Sequence, residues 1–191
     1  MKSKSLEKYL LSKYEIEKIE DLNFDDVEEL VLNKLDFKEE TDYDFRDFEE
    51  FKNLKYIAVK NFRINNYETN ELGRCKKLSA IQFSNCKFKS KSRLRGNLKV
   101  ASFNNCKGFD LKYLSLLKNL ELLKISNMKS INLKCASLCL KKLEKISFEN
   151  TKIYNFGELS KLKQLILVEV MNCKWNKRSK RLFSEDVQIE E

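Results

Sequence analysis

The sequence predicts an α/β solenoid in which short parallel strands stack side by side, with short helices and loops on the other side and a helix covering the N-terminal end. Three observations lead to this fold class. One apolar pattern recurs seven times; two of its positions lie two residues apart, as in a strand; and some segments between copies have helical apolar spacing. The chain of 191 residues is long enough to bury such a core as one domain.

The recurring pattern is an apolar residue followed by apolar residues three, five and eight positions later. Its seven lines begin at residues 27, 54, 78, 98, 120, 143 and 162, and "LSAIQFSNCKF" and "LKVASFNNCKG" are the third and fourth. A steady period of about 22 residues indicates a repeat architecture. The fourth and sixth residues of a line share one face of a strand, and only stacking of neighbouring copies buries that face.

This pattern resembles the leucine-rich repeat family, whose segment reads L-x-x-L-x-L-x-x-N/C-x-L, over residues 27–173. The resemblance implies a curved solenoid with parallel strands on the concave side and short helices and loops on the convex side. The ninth place, Asn or Cys in the family, is here Leu35, Phe62, Cys86, Cys106, Met128, Thr151 and Val170. Asparagine instead comes one place earlier in five lines, at Asn61, Asn85, Asn105, Asn127 and Asn150. The repeats are therefore irregular, and the sequence does not predict the family's regular asparagine ladder.

The chain divides into three predicted regions. Residues 1–26 form an N-terminal cap with a helix over 5–19, because apolar residues recur there at helical spacing. Residues 27–173 hold about seven repeats, with helix-like spacing in 109–119 and 131–142 and room for one helical turn in 153–161. Residues 174–191 form a C-terminal cap and an acidic tail. We expect Trp175, Leu182 and Phe183 to cover the last repeat, and the tail beyond Ser184 to be disordered.

The six cysteines are Cys75, Cys86, Cys106, Cys135, Cys139 and Cys173. They contain no C-x-x-C pair and the chain has no histidine, so the usual zinc sites are not predicted. Cys86 and Cys106 occupy the ninth place of neighbouring repeats, where we expect small buried side chains that fill the core. A disulfide between these two neighbours and a reactive thiol are the alternatives.

Catalysis is not predicted. The usual histidine base is missing, and the four glycines form neither a phosphate-binding loop nor a dinucleotide fingerprint. We therefore expect no enzyme activity and no cofactor. No apolar run is long enough to cross a membrane, and the N-terminus lacks the pattern of an intact signal peptide. These features favour the cytoplasm, in a composition typical of AT-rich genomes; a secreted, host-facing binding protein whose signal peptide has been removed is the alternative.

Binding is the remaining class of function, and the repeat register predicts which side chains face the concave side. The partner-binding candidates are Tyr56, Ala80, Gln82, Val100, Ser102, Leu122, Lys124 and Lys145; in the seventh line the same places are Gln164, Ile166 and Val168. This surface is nearly neutral and has a short apolar strip at Ala80, Val100 and Leu122. It suits a protein partner, so the sequence predicts a monomeric protein-interaction module.

Positive charge is concentrated in the segment "KFKSKSRLRGN" that follows the third line. Its cations are Lys87, Lys89, Lys91, Arg93 and Arg95. A cluster of this kind can dock on phosphates, which makes a ribosome- or RNA-associated factor the alternative function. A solvated lysine-rich loop without a ligand is the other interpretation of the same segment.

Overall fold

One parallel sheet, whose strands follow each other in chain order, dominates the structure, a computed structural model that describes residues 4–34, 45–64, 66–89 and 92–191. Its eight strands are β1 (Glu29–Asn33), β2 (Tyr56–Lys60), β4 (Ala80–Ser84), β6 (Val100–Asn104), β7 (Leu122–Ser126), β9 (Lys145–Glu149), β11 (Leu167–Met171) and β12 (Gln188–Glu190). Each strand pairs only with the strands of the preceding and following repeats, as in a solenoid. The predicted fold class, an α/β solenoid of parallel strands, is confirmed.

Short elements cover the other side of the sheet. Two-residue strands pair between neighbouring repeats: β3 (Arg63–Ile64) with β5 (Lys87–Phe88), and β8 (Ile131–Asn132) with β10 (Ile153–Tyr154). The helices are α1 (Lys4–Tyr14), α2 (Asn66–Leu72) and α3 (Ala136–Cys139), with 3-10 turns at Ile19–Asp21, Phe24–Asp26, Phe45–Glu50, Leu111–Leu114, Phe156–Lys161 and Lys177–Leu182. The helix-like segments 109–119 and 131–142 thus form about one turn each, because a repeat of about 22 residues must also reach the next strand.

The register of the strands confirms six of the seven repeat lines. The third places of these lines are aligned as Cα partners from Glu29 through Tyr56 to Lys145. The seventh line is wrong by three residues, because Lys145 aligns with Leu167 rather than Gln164. The correct line begins at Leu165, and it places an asparagine and a cysteine where the neighbouring lines have them.

The core lies directly beneath the sheet. The fourth and sixth places of every line are fully buried, and three of the sixth places are the phenylalanines Phe83, Phe103 and Phe148. Phe83 stacks on Phe103 with ring centroids 5.6 Å apart. Phe103 also stacks on Phe109, which follows β6 in the same repeat, with ring centroids 4.0 Å apart. The Phe83–Phe103 stack joins neighbouring repeats, so apolar burial helps to hold the solenoid together along its length.

Asparagines turn the chain after the strands. Asn61, Asn85, Asn105, Asn127, Asn150 and Asn172 each follow a strand of the sheet with a φ angle between 48° and 65°. This left-handed conformation strains most side chains, and asparagine tolerates it better than other residues with a Cβ. Their side chains also bond along the solenoid: Asn105 Nδ2 donates to Asn85 Oδ1 at 2.8 Å, and Asn150 Nδ2 to Asn127 Oδ1 at 2.9 Å. The displaced asparagines therefore form a ladder of their own.

The ninth places form a second ladder inside the core. The backbone N–H of Cys106 donates to Met128 Sδ at 3.2 Å, that of Met128 to Thr151 Oγ1 at 3.2 Å, and that of Thr151 to Cys173 Sγ at 3.4 Å. The thiol of Cys86 donates in turn to the carbonyl of Val59 at 3.4 Å. Thiol, thioether and hydroxyl groups thus satisfy buried backbone groups that an asparagine ladder would otherwise serve.

The N-terminal end of the sheet is covered by α1. Leu6 and Leu10 join the core, and the Tyr9 hydroxyl donates to the carbonyl of Val31 on the outer strand. The helix ends earlier than predicted, at Tyr14, because Glu15 adopts a φ of 53° that stops it.

The C-terminal end differs from the sequence prediction in two ways. Trp175 and Phe183 pack on Phe156, with ring centroids 4.1 Å and 5.5 Å apart, but Leu182 stays 57% exposed. The tail predicted to be disordered contains β12, which pairs in parallel with β11 and packs Ile189 against the core. Its acidic character hid this strand, because only alternate residues need to be apolar in a half-buried strand.

Candidate protein-binding surface on the concave face

The outward side of the sheet is the side that the sequence analysis predicts to be concave. We call it the concave face and define it by the third, fifth and seventh places of each line. Alternation along the strands determines it: in β6, Ala101 and Phe103 are buried whereas Val100 is 36% exposed. The same alternation recurs in β7 and β9. Because the strands are in register, equivalent places lie in rows that cross the sheet about 4.8 Å per step.

An apolar strip occupies four successive third places. Tyr56, Ala80, Val100 and Leu122 are aligned neighbours on β2, β4, β6 and β7, and each is half-buried or exposed. Tyr56 is thus the fourth member of the strip that the sequence predicted from the other three. The strip is bounded in the next repeat by Lys145.

Polar side chains of the fifth places accompany the strip. Gln82 accepts a hydrogen bond from the Tyr56 hydroxyl at 2.9 Å and donates to Ser84 Oγ at 3.3 Å. Ser102 is half-buried and Lys124 is exposed in the following repeats. These contacts fix the orientation of Gln82 and Tyr56, so this part of the surface is preorganised for a ligand.

Lys145 differs from the other candidates because it is already paired. Its Nζ lies 2.7 Å from Glu169 Oε1 on β11. The hydrogen bond from Lys145 is the main cause that lowers the pKa of the Glu169 carboxyl below its ordinary value of 4.5, against an opposing effect of burial. A partner that binds at Lys145 must therefore compete with Glu169 or recognise both charges together.

The prediction for the seventh line is wrong: Gln164, Ile166 and Val168 do not occupy the outward places of its strand. Val168 is fully buried in the core, and the third, fifth and seventh places belong to Leu167, Glu169 and Met171. Gln164 and Ile166 lie before the strand. The signal that could have corrected this line was the Asn172-Cys173 pair, which repeats the Asn-Cys pair of the third and fourth lines.

The basic segment follows β4, so it begins beyond the C-terminal end of that strand. Lys87 and Lys89 are exposed on either side of buried Phe88, and Arg93 and Arg95 are exposed on either side of buried Leu94. Lys91 lies outside the described residues. Ser92 anchors the segment, since its hydroxyl donates to the carbonyl of Lys89 at 2.9 Å. The structure thus brings two pairs of cations to the surface without joining them to the concave face.

The six thiols are free. Burial raises the pKa of Cys75 to about 11, and burial together with neighbouring Cys135 raises that of Cys139 to about 12. The hydrogen bond between the two thiols raises the pKa of Cys106, together with burial, and lowers the pKa of Cys86. Cys86 and Cys106 are both buried, as predicted for side chains that fill the core.

Comparison with known proteins adds little to the geometry. No protein-family model matches the chain, and no curated protein is significantly similar in sequence. Among solved structures, an internalin C2 from Listeria monocytogenes is similar with a TM-score of 0.43 and 10% identity, over 74% of this chain and 76% of that chain. At this level of similarity no function passes from that protein to this one, and the fold rests on the strand pairing described above.

Two features are absent from the residues that the structure describes. They contain no helix that is long and apolar enough to cross a membrane. No group of three or more cysteine, aspartate and glutamate side chains in the described ranges is arranged to hold a metal ion.

Proposed function

We propose that this protein is a non-catalytic interaction module that binds a partner protein through its concave face. The observation that supports this function is the aligned apolar strip Tyr56, Ala80, Val100 and Leu122 on the outward face of the sheet. The rest of the described chain leaves this strip at the surface. A sheet face that contacts only water can be polar throughout, so the apolar strip needs another explanation. An apolar centre flanked by polar groups is the usual composition of a protein interface.

The proposed contact residues are those of the strip together with its polar neighbours. Tyr56 is the best candidate for a residue that dominates the binding energy, because tyrosine is enriched among such residues, and Leu122 adds apolar contact area beside it. Gln82, Ser102 and Lys124 supply hydrogen bonds around them, and Lys145 with its partner Glu169 forms the polar border. Ala80 and Val100 leave room above the sheet between the two larger side chains.

Two considerations support the absence of catalysis. The raised pKa values of Cys75, Cys106 and Cys139 keep these three thiols protonated. The chain also has no histidine, so proton transfer near neutral pH has no ordinary carrier.

The proposal includes an organisation of the whole chain. We assign residues 1–26 to an N-terminal cap, 27–173 to leucine-rich repeats of an irregular kind, and 174–191 to a C-terminal cap with an acidic strand. Free thiols support a reducing compartment such as the cytoplasm. A monomer fits this arrangement because α1 and the C-terminal residues cover the two ends of the sheet.

The test is affinity capture of the partner from native cells, with nuclease treatment to remove contacts made through nucleic acid. Leu122→Arg and Val100→Glu should weaken capture at least about 30-fold, the effect of losing an interface centre. Leu138→Arg is the matched control, because Leu138 is 73% exposed on α3, on the other side of the repeat. All three variants should keep the thermal stability of the wild-type protein within a few degrees, since no buried side chain is removed.

Two outcomes would contradict the proposal. If Leu122→Arg and Leu138→Arg weaken capture equally, the partner does not read the concave face. If capture disappears on nuclease treatment, the partner is held through nucleic acid and the concave face is not its site.

A further inference from the structure

A row of cations runs along the solenoid where the strands end. In six successive repeats the residue directly after the ninth place is Arg63, Lys87, Lys107, Lys129, Lys152 or Lys174. We call this set the cationic ridge. All six residues are exposed.

The backbone aligns these residues. Arg63 and Lys87 are register partners in β3 and β5, and parallel bridges join Lys87 to Lys107 and Lys152 to Lys174. Lys129 has the same place in its repeat but lies outside the bridges. With about 4.8 Å per step, the ridge extends over roughly 24 Å.

Alternation turns the cationic side chains outward. Lys87 lies between buried Cys86 and Phe88, and Lys152 lies between buried Thr151 and Ile153. The ridge therefore presents its charges on a single edge of the solenoid. This edge is separate from the concave face, because its residues lie three positions beyond the last strand residue.

Acidic residues are missing from the six segments that carry the ridge. The segments 61–65, 85–89, 105–109, 127–131, 150–154 and 172–176 contain no aspartate or glutamate. None of the six cations forms an ion pair with a described residue. Neighbouring charges at this spacing lie within one Debye length of about 8 Å, so the row repels itself and attracts a linear polyanion.

A second row of lysines shows what an ordinary solvated edge looks like in this protein. Lys52, Lys76, Lys118 and Lys141 are exposed at the opposite ends of the strands, at the same place in four of the repeats. Acidic residues are interleaved there, and the ion pairs Lys55–Glu28 and Lys99–Glu121 cross that edge. The contrast distinguishes the ridge from a general excess of lysine.

The surroundings of the ridge suit a single-stranded nucleic acid. On one side lie the exposed asparagines of the turns, whose amides can donate to and accept from bases and phosphates. On the other side Tyr154 is 45% exposed, with Lys152 Nζ 4.8 Å from its ring centroid. A cationic track beside an exposed aromatic ring is how proteins hold single strands by backbone charge and base stacking. A bilayer would require exposed aliphatic side chains for insertion, whereas Ile64, Phe88 and Ile153 beside the ridge are buried.

We propose that the cationic ridge binds single-stranded nucleic acid through its phosphates, with Tyr154 as a stacking platform and without sequence specificity. This function is additional to partner binding on the concave face and does not depend on it.

The test uses a fluorescent mixed-sequence RNA of 20 nucleotides and measures affinity at several salt concentrations. Six phosphate contacts predict a slope of about −4 in log K against log salt, so binding should weaken roughly 300-fold between 50 and 200 mM salt. The variant K87Q/K107Q/K129Q/K152Q keeps two ridge contacts and should weaken only about 7-fold over the same range. The matched control K52Q/K76Q/K118Q/K141Q removes the same charge from the opposite edge and should keep the wild-type slope.

Two further variants separate the loss of charge from a folding defect and from the loss of base stacking. Replacement of the same four ridge lysines by arginine keeps the positive charge and should therefore keep the wild-type slope. A loss of slope caused by a folding defect would not depend on the charge of the new side chain. Tyr154→Ala should lower RNA affinity about 5- to 100-fold without changing the slope, because stacking is not salt-dependent in this way.

Several results would overturn the ridge as a nucleic-acid site. Equal losses of slope in the two quadruple variants would mean attraction by net charge alone. Unchanged affinity in Tyr154→Ala would remove the single-strand assignment. Binding to vesicles containing phosphatidylserine, with no binding to the oligonucleotide, would make the ridge a membrane contact. Capture of a protein partner should be the same in wild type and ridge variant, so failure here does not touch the concave-face proposal.

Discussion

Replacement of Asn127 by alanine tests why the chain turns through asparagine after the strands. Asn127 has a φ of 54°, donates to Asn104 Oδ1 at 2.8 Å and accepts from Asn150 Nδ2 at 2.9 Å. Forcing alanine into the left-handed conformation costs about 1–2 kcal/mol. Losing two exposed hydrogen bonds adds roughly 1–2 kcal/mol. We expect Asn127→Ala to lower the free energy of unfolding by about 2–4 kcal/mol.

Glycine separates the two contributions. Asn127→Gly loses the same hydrogen bonds but adopts the positive φ without strain, at a small cost in chain entropy. It should therefore be more stable than Asn127→Ala by roughly 0.5–1 kcal/mol. Asn119 is the control, because it also makes two side-chain hydrogen bonds, with Asn97 at 2.6 Å and Lys142 at 3.0 Å, but its φ is not positive.

The order of the two substitutions should reverse between the sites. At Asn119, alanine should be more stable than glycine; at Asn127, glycine should be more stable than alanine. Urea unfolding followed by circular dichroism measures all four variants, and the slope of the transition should stay constant. The same order at both sites would refute backbone strain as the reason for asparagine in the turns.

Three other variants or titrations address the core, the thiols and the ion pair. Phe103→Ala should destabilise the protein by about 3–5 kcal/mol in urea unfolding, whereas the neighbouring Ser102→Ala should change stability by less than about 0.5 kcal/mol. Titration with a thiol reagent should find six free thiols in the denatured protein; in the native protein the half-buried Cys135 and Cys173 should react first, and four or fewer thiols after denaturation would mean a disulfide. The lowered pKa of Glu169 means that its lysine pair stabilises the fold fully above the ordinary carboxyl value of 4.5 and loses this effect as the pH falls through the lower folded-state value. Glu169→Gln should therefore make unfolding less dependent on pH in that acidic window, and an unchanged dependence would show that the pair contributes nothing.

Much of the fold could be predicted because burial in a solenoid depends on residues that are close together in the sequence. Each line of about 22 residues repeats the same demand for two apolar residues two positions apart, and six lines had the correct register. The seventh failed because Leu162, Leu165 and Leu167 satisfy the apolar pattern in more than one register. The tail failed for the opposite reason, since β12 is held by Ile189, by backbone pairing and by ion pairs of Glu191 with Lys177 and Lys180.

The candidate site was predictable only in part. The rows of outward side chains follow from strand alternation, so the apolar strip at Ala80, Val100 and Leu122 is predictable from the sequence. The pairing of Lys145 with Glu169 and the fixed orientation of Gln82 depend on side chains from different repeats. The cationic ridge was visible in the sequence as a lysine or arginine two residues after the asparagine, but its alignment depends on pairing between repeats.

The sequence by itself determined the repeat architecture, the apolar core and the absence of the usual catalytic residues, because these follow from residue types and their spacing. Only the tertiary structure decided the exact register of the last repeat, the eighth strand, the two hydrogen-bonded ladders and the separation of the concave face from the cationic ridge. The physical reason is distance along the chain. Apolar burial within a strand depends on residues two positions apart, whereas a ladder or a ridge depends on groups about 22 residues apart that meet only when the repeats stack.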